Sequence, residues 1–554
     1  MGAFRLGINM AGAVSAGAYT AGVLDFLIEA LDAWYAAKQQ GQAVPMHEVS
    51  IDVFAGASAG GMCAAIASVM VQGDFDHIHD PNAQNTSNRF YESWVNKIDI
   101  TRLLGKNDLK DNEPVYSLLD CSIIDEIAEY ALVPGNPKRR AYISPNLTLF
   151  LTLTNLSGIP YSLNDVASGS LEESTLYHAD RLRFETVQAG QMTTTPIAKP
   201  LPLGKPGQGS WPLLQEAAKA TGAFPLFLKP RQLTREISDY CPAMWESIGS
   251  DANADTTTKP AWPNGLSSTI DTINVDGGVI DNDPFDLAHD HLASLAPASA
   301  NNQNPRKPLE ANRAVITISP FPMQDAFTQS PAFAASAAVM PAMGKLLSVF
   351  ISQSRFFGES LGLMTKGTSS RFVIAPSDTS LPANTAALQC AALGAFGGFF
   401  ERSFRAHDYQ LGRRNCQQFL RYHFVLPVEN PIIAAGLEAL GARKSKAIAD
   451  FRVDAPDNTT GGQSGIWIPI IPLCGDAVGQ DVPSPARGKI TQENLREIVR
   501  LIDDRMNAVV PRLLQHAFSE PIRLALKLGE QLFTFFGRSR IEDYLRSQLG
   551  DSIE

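Results

Sequence analysis

The chain has 554 residues, 44% hydrophobic and 19% charged, with 42 Gly and 36 Pro. That is enough apolar material for a large core and excludes collagen-like and wholly disordered chains. Lysine and arginine number 46 against 57 aspartate and glutamate, a net charge of −11, which argues against nucleic-acid backbones, or anionic membranes held by charge alone, as partners.

In chain order, Phe4–Met10 reads as a short strand. A helix follows from about Ala18, with Val23, Leu24, Leu27, Ile28, Leu31 and Trp34 at helical spacing and Asp25, Glu29 and Asp32 opposite. Residues 6–24 carry no charge, but Gly7, Gly12, Gly17 and Gly22 with Asn9, Ser15 and Thr20 make a poor signal sequence. No run of about 20 predominantly apolar residues is found, so no membrane span is expected. Val49–Phe54 alternates as a second strand, and Ala59–Gln72 is a buried helix. Helical pieces are predicted at Phe90–Leu104 and Val115–Leu132, strands at Leu147–Leu153 and Leu182–Val187, and a helix at Gln215–Thr221. Further strands are predicted at Thr272–Val275, Ala314–Ser319 and Arg371–Ala375. Strands separated by helices predict an α/β fold with a mostly parallel sheet. Polar stretches at 236–268, 295–312 and 454–466 read as surface loops. Beyond residue 426 the pattern is mainly helical, at Ile432–Leu440, Gln492–Val509, Pro521–Phe536 and Ile541–Leu549. The six cysteines form no C-x-x-C pair and read as reduced thiols of a cytoplasmic protein.

The pattern G-x-S-x-G occurs at Gly56–Gly60, around Ser58, and at Gly358–Gly362, around Ser360. The pentapeptide alone is weak, so context decides. A nucleophile elbow needs a strand before it and a helix after it. Ser58 has both, whereas Ser360 lies inside a helical apolar pattern and reads as a mid-helix serine. Only two strands precede Ser58, which excludes the ordinary α/β-hydrolase order. The acid candidate is Asp276, at the end of the strand Thr272–Val275 and followed by Gly277 and Gly278.

Gly56-Ala57-Ser58-Ala59-Gly60, Asp276-Gly277-Gly278 with Asn282 and Pro284, and the segment from Gly12 to Leu24 resemble patatin-like phospholipases. Leu149–Asn155 and Glu216–Pro225 extend the resemblance, which covers roughly residues 1–425. It implies a three-layer α/β/α fold with a mostly parallel central sheet and helical insertions, the insertions falling at about 74–140, 236–268 and 295–312, and a mainly helical C-terminal extension, 426–554. It also implies a Ser58–Asp276 dyad that hydrolyses lipid acyl esters, with Gly56, Gly60, Gly277 and Gly278 supporting the two motifs. No cofactor or metal is called for. The oxyanion loop corresponds to Gly12-Ala13-Val14-Ser15-Ala16-Gly17, which lacks two glycines and the basic residue of the family pattern. Backbone amides of Gly12, Ala13, Val14 and Ala59 would form the oxyanion hole, with Ala13 and Val14 expected to avoid positive φ. Burial should raise the pKa of Asp276 toward that of a useful base.

Three further features carry more than one reading. Asp74, Asp76, His77, His79 and Asp80, and Asp283, Asp286, His289, Asp290 and His291, could ligate a metal; a solvated loop and an acidic first helical turn are the plainer readings. Arg402, Arg405, Arg413 and Arg414 read as structural ion pairs with Glu401 or Asp408, or as a phosphate grip. Amphipathic stretches Met343–Met364 and Ile522–Phe536 allow core packing, a lid or transient membrane-surface contact. The expected partner is a lipid acyl ester. An acyltransferase and a non-catalytic lipid-binding protein are the alternatives.

Overall fold

Strand β1 (Phe4–Met10) is buried along nearly its whole length, as a central strand covered on both faces must be. In this computed structural model, which describes residues 2–554 except 112, 136, 165–171, 241–259, 297–303, 322–368, 383–384, 455–464 and 518–540, β1 lies between two parallel neighbours. These are β2 (Val49–Gly56) and β8 (Arg313–Ile318). The other strands are β3 (Ile143–Asn164), β4 (Glu172–Val187), β5 (Lys199–Pro202), β6 (Arg231–Glu236), β7 (Thr269–Asp276) and β9 (Arg371–Ile374). The sheet runs β5-β4-β3-β2-β1-β8-β9, with β7 paired to β3 and β6 paired to β7. It is mostly parallel and flanked by helices, the α/β architecture expected from the sequence.

The topology around β3 places the site. Leu151 of β3 lies opposite Gly56, at the end of β2, and Leu153 lies opposite Asp276, at the end of β7. β4 occupies the other edge of β3 from Thr148 to Thr154. A strand has two edges, so β7 must share the edge used by β2. β7 runs antiparallel to β3 and β2 runs parallel to it, so the two meet head to head. Asp276 therefore enters from the direction opposite to the one a parallel strand would give. Two strands of this sheet escaped the sequence reading, as did the two short strands of the C-terminal ribbon. β5, Lys-Pro-Leu-Pro, is an edge strand that tolerates proline. β6 alternates buried and exposed residues but buries Arg231 and Arg235, paired with Asp125 and with Asp180 and Asp239.

Helix α1 (Gly17–Gln39) follows β1, and α2 (Ser58–Met70) follows β2. The pieces expected at 90–104 and 115–132 are shorter: Arg89–Tyr91, a π-helical turn at Glu92–Lys97, Ile100–Leu103, and α3 (Ser122–Ala131). Then come α4 (Trp211–Thr221), α5 (Phe285–Ser294) and α6 (Arg402–Tyr422). The C-terminal region contains α7 (Pro431–Glu438), α8 (Lys444–Phe451), α9 (Gln492–Ala517) and a helix over 541–549, α10. It also holds a two-stranded ribbon of β10 (Val425–Pro427) and β11 (Trp467–Pro469). Ser360, Met343–Met364 and Ile522–Phe536 lie outside the described residues.

Contrary to the expectation of no span, the helical run Val14–Gln39 is long and apolar enough to cross a membrane, with a mean hydropathy of 1.3 over its best window. Of that window, 94% is buried inside the protein, because α1 is a core helix crossed by α6. A Cβ on Gly22 would sit 1.9 Å from the Tyr409 carbonyl oxygen, and one on Gly412 would sit 2.2 Å from that of Tyr19. The backbones touch there. Arg413 on α6 donates to both Asp25 and Glu29 of α1. Burial alone would raise the Asp25 carboxyl, but Arg413 and His77 hold it down, at about 2. The five described cysteines are buried and unpaired.

Candidate active site

Ser58 opens α2 with φ +53°, the sharp strand-to-helix turn that pushes a side chain out over the sheet. The turn closes only because two positions lack a side chain. A Cβ on Gly60 would lie 2.1 Å from the Met10 carbonyl oxygen, and one on Gly56 would lie 2.6 Å from the Gly60 carbonyl oxygen. The Ser58 N–H donates to the Thr221 hydroxyl at 3.0 Å, which steadies a residue in a conformation that costs about 1–2 kcal/mol.

The Ser58 hydroxyl donates to Asp276 Oδ2 at 2.6 Å. The other carboxylate oxygen, Oδ1, accepts the Gly278 N–H at 2.7 Å. The backbone of Asp276 is held on both sides: its N–H donates to the Ala223 carbonyl, and its carbonyl accepts from Thr154 Oγ1. Gly277 is required because a Cβ there would meet the Thr152 carbonyl oxygen at 2.2 Å. Burial pushes the Asp276 carboxyl up to about 7, against the pull of the Ser58 and Gly278 hydrogen bonds. A carboxylate with that pKa is matched to accepting a hydroxyl proton near neutral pH.

The loop after β1 reaches the same point. The Gly12 N–H is occupied, donating to the Asn282 carbonyl at 3.0 Å. The amides of Ala13, Val14 and Ala59 have no hydrogen-bond partner among the described residues, so they are the ones free to hold an oxyanion. Val14 departs from expectation, with φ +48°. The surrounding contacts over-determine it. The Ala16 N–H donates to the Ala13 carbonyl, the Ser15 N–H and hydroxyl both donate to the Ala395 carbonyl, and the Gly398 N–H donates to Ser15 Oγ. The clamp is itself contorted, with Leu393 at φ +57° and Ala395 at φ +75°. Of the six described non-glycine residues with positive φ, Asn85 alone lies away from this region; Leu226 sits between Phe224 and Leu228, which line the cavity at Ser58.

That cavity leaves about 100 Å³ for the centres of water-sized atoms and is lined by Val14, Ser58 and Ala59 at one side, then by apolar groups including Met62, Ile66, Trp94, Ile98 and Phe224. Its polar side chains are those of Ser58, Ser93, Trp94 and Lys219, and the rest of the lining is apolar.

A sequence profile described as patatin-like phospholipase matches residues 9–289. The chain belongs to the patatin-like phospholipase family. A protein of Sinorhizobium fredii (strain NBRC 101917 / NGR234), described as uncharacterized protein y4iI, is 33% identical over 597 aligned positions, which cover 99% of this chain and 81% of that one. Among solved structures, VipD from Legionella pneumophila is 12% identical, covering 74% of this chain and 67% of its own with a TM-score of 0.22. In this patatin-like chain the two motifs meet, while the Gly12–Gly17 loop keeps two of the family pattern's four glycines, Gly12 and Gly17, and is pinned by Ser15, next to Ala16 at the place of the family's basic residue.

The remaining polar clusters have other uses. His77 and His79 approach Asp25 and Glu29 of α1, Asp74 pairs with Lys138, and Asp76 accepts from Ser87. In the second cluster Asp283 accepts from Asn9, and burial with neighbouring carboxylates pushes Asp281 and Asp286 up to about 7. Among the described residues no group of three or more acidic, His or Cys side chains is arranged for a metal. The arginines find partners other than Glu401 or Asp408. Arg413 pairs with α1, Arg405 donates to the carbonyls of Val95, Gly398 and Phe399, Arg402 donates to Asn96, and Arg414 donates to the Val482 carbonyl. Sequence reasoning missed Thr221, Thr154 and Ser15. Thr221 sits in the quoted Glu216–Pro225 segment, but no local signal points from Ser15 to a partner 380 residues away.

Proposed function

We propose that the protein is a serine lipid acyl hydrolase, of phospholipase A or lysophospholipase type, acting through Ser58 and Asp276. The hydrogen bond of 2.6 Å between them, at the wall of an apolar cavity and beside unoccupied amides, carries the reading. Asp276 accepts the Ser58 proton as the oxygen attacks an ester carbonyl. The amides of Ala13, Val14 and Ala59, with the positive end of α2, stabilise the oxyanion; one such donor is worth ~10²–10³ in rate. The proton passes to the leaving alcohol, and Asp276 then activates the water that releases the fatty acid. The apolar cavity holds the acyl chain, since removing it from water is favourable by about 0.8 kcal/mol per CH₂.

We assign the chemistry to residues 1–425 and treat 426–554 as an extension of that unit. The protein is proposed to work in the cytoplasm and to meet lipid surfaces transiently. A fluorophosphonate probe should label Ser58, and Ser58→Ala should lose both the label and release of fatty acid from a lipid panel. Absence of labelling in the unaltered protein would favour the lipid-binding reading, and transfer of the acyl group to an added alcohol in preference to water would favour the acyltransferase.

A further inference from the structure

The cavity wall is not made by the catalytic layers alone. Ile98, Leu103, Leu119, Ile124 and Ile127 line it; the first three belong to a hydrophobic cluster separate from the main core, and the last two pack against that cluster. The other side of that cluster comes from the C-terminal region: Leu495, Ile498 and Val499 of α9 and Leu545 and Leu549 of α10. The wall residues thus share one packed cluster with α9 and α10, and α9 contacts the Ile100–Leu103 helix that ends in the wall; interiors at normal packing density transmit a change of one or two methylene groups.

A polar clamp fixes the register of this backing. Arg505 of α9 is 1% exposed. Its guanidinium donates to Asp108 through both terminal nitrogens and to the carbonyls of Gly105, Ser117 and Leu118. The planar fork of arginine suits this, and lysine has no equivalent. The clamped segment ends in wall residues on both sides, at Leu103 and Leu119. Leu118 and Leu119 in turn donate their N–H groups to the carbonyls of Leu226 and Phe227, next to the cavity residue Leu228. Glu554, just beyond α10, is tied in as well, its N–H donating to the Ile490 carbonyl.

We propose that α9 and α10, registered by Arg505, set the dimensions of the acyl cavity and so determine the acyl-chain length the protein accepts. The proposal rests on the hydrolase reading for its substrate, but its geometry needs no chemistry. Ile498→Ala hollows the backing and Ile498→Trp presses the wall inward, so the two should act in opposite directions. Two measurements test this. The first is the ratio of turnover of p-nitrophenyl hexadecanoate to that of the butanoate. The second is binding of fluorescently tagged dodecanoic and octadecanoic acids to the same variants in a Ser58→Ala background.

The ratio should rise in Ile498→Ala and fall in Ile498→Trp, each by roughly threefold to tenfold, while the rate of labelling by a small fluorophosphonate stays within about twofold of the parent. Arg505→Met should blur selectivity between the two fatty acids. If that variant does not fold, the Ile498 pair still decides. No turnover and no labelling, with the binding selectivity shifted as expected, would sink the hydrolase reading and leave this one standing. Folded Ile498 variants that leave both the turnover ratio and the fatty-acid selectivity unmoved would overturn the proposal.

Discussion

The turn at Ser58 and the loop at Gly12–Val14 serve one site and are held in opposite ways. Both place a non-glycine residue at positive φ. The turn at Ser58 is fixed mainly by its own neighbours: a strand before it, a helix after it, Gly56, which lets the chain fold back on itself, and Gly60, which lets it lie against β1; Thr221 adds one distant hydrogen bond. The Gly12–Val14 loop is held from far along the chain, by Asn282, by Ala395 and Gly398 through Ser15, and by α6 through its grip on α1. Locally determined geometry survives substitution elsewhere, whereas remotely determined geometry can drift from its family pattern and be rebuilt by another contact. The missing glycines and basic residue of this loop fit the second case.

Four experiments probe that contrast. Removing the chemistry itself should have the largest effect: Ser58→Ala or Asp276→Asn should lower ester hydrolysis by roughly 10⁴–10⁶ with the fold intact by circular dichroism. Wild-type rates in either variant would remove the dyad. Next, Arg413→Met leaves Asp25 and Glu29 of α1 buried without their cation, which should cost about 3–5 kcal/mol in urea unfolding. Unchanged stability would mean that α6 does not hold α1.

Third, Ser15→Ala removes the hydroxyl that joins the loop to Ala395 and Gly398. It should lower kcat by up to roughly 10²-fold with KM little changed, because only transition-state contacts are displaced. An equal rise in KM with kcat unaltered would place Ser15 in substrate binding instead.

The smallest expected effect is a pH dependence with two opposite signs. Asp276 must be ionised to act, so activity should rise as pH passes about 7. Stability should move the other way. Asp276, Asp281 and Asp286 have native pKa values raised to about 7, above the ~3.9 of an unfolded chain. The native state thus binds more protons between those values, and stability is fully present below about pH 4 and declines as pH rises through about 7, by at most ~1.4 kcal/mol per pH unit for each group. Melting temperatures flat from pH 5 to pH 8 would contradict this, and Asp281→Asn should remove part of the slope.

Much of this arrangement was legible in the sequence because its causes are local. Alternation and small residues marked β1, β2 and the helices after them, and the G-x-S-x-G and D-G-G segments marked the two strand ends. What stayed hidden depends on contacts between distant residues. β6 carries its charges inward, which alternation alone reads as solvent-facing. The head-to-head meeting of β2 and β7 follows from which edge of β3 is already taken. Arg413 reads as a partner of Glu401 or Asp408 until Asp25 and Glu29 are seen beside it, and nothing near Val14 announces that Ala395 holds its neighbour.

The crossing of α1 and α6 has one more consequence. The family signature ends at residue 289, yet β1 needs β8 on one edge and α1 needs Arg413 against its carboxylates. A gene fragment stopping at the signature's border would yield a sheet with a bare central edge and two stranded acids. The recognisable half of this protein is thus not a portable module; a ribosome must deliver more than four hundred residues before the first helix has its permanent neighbour.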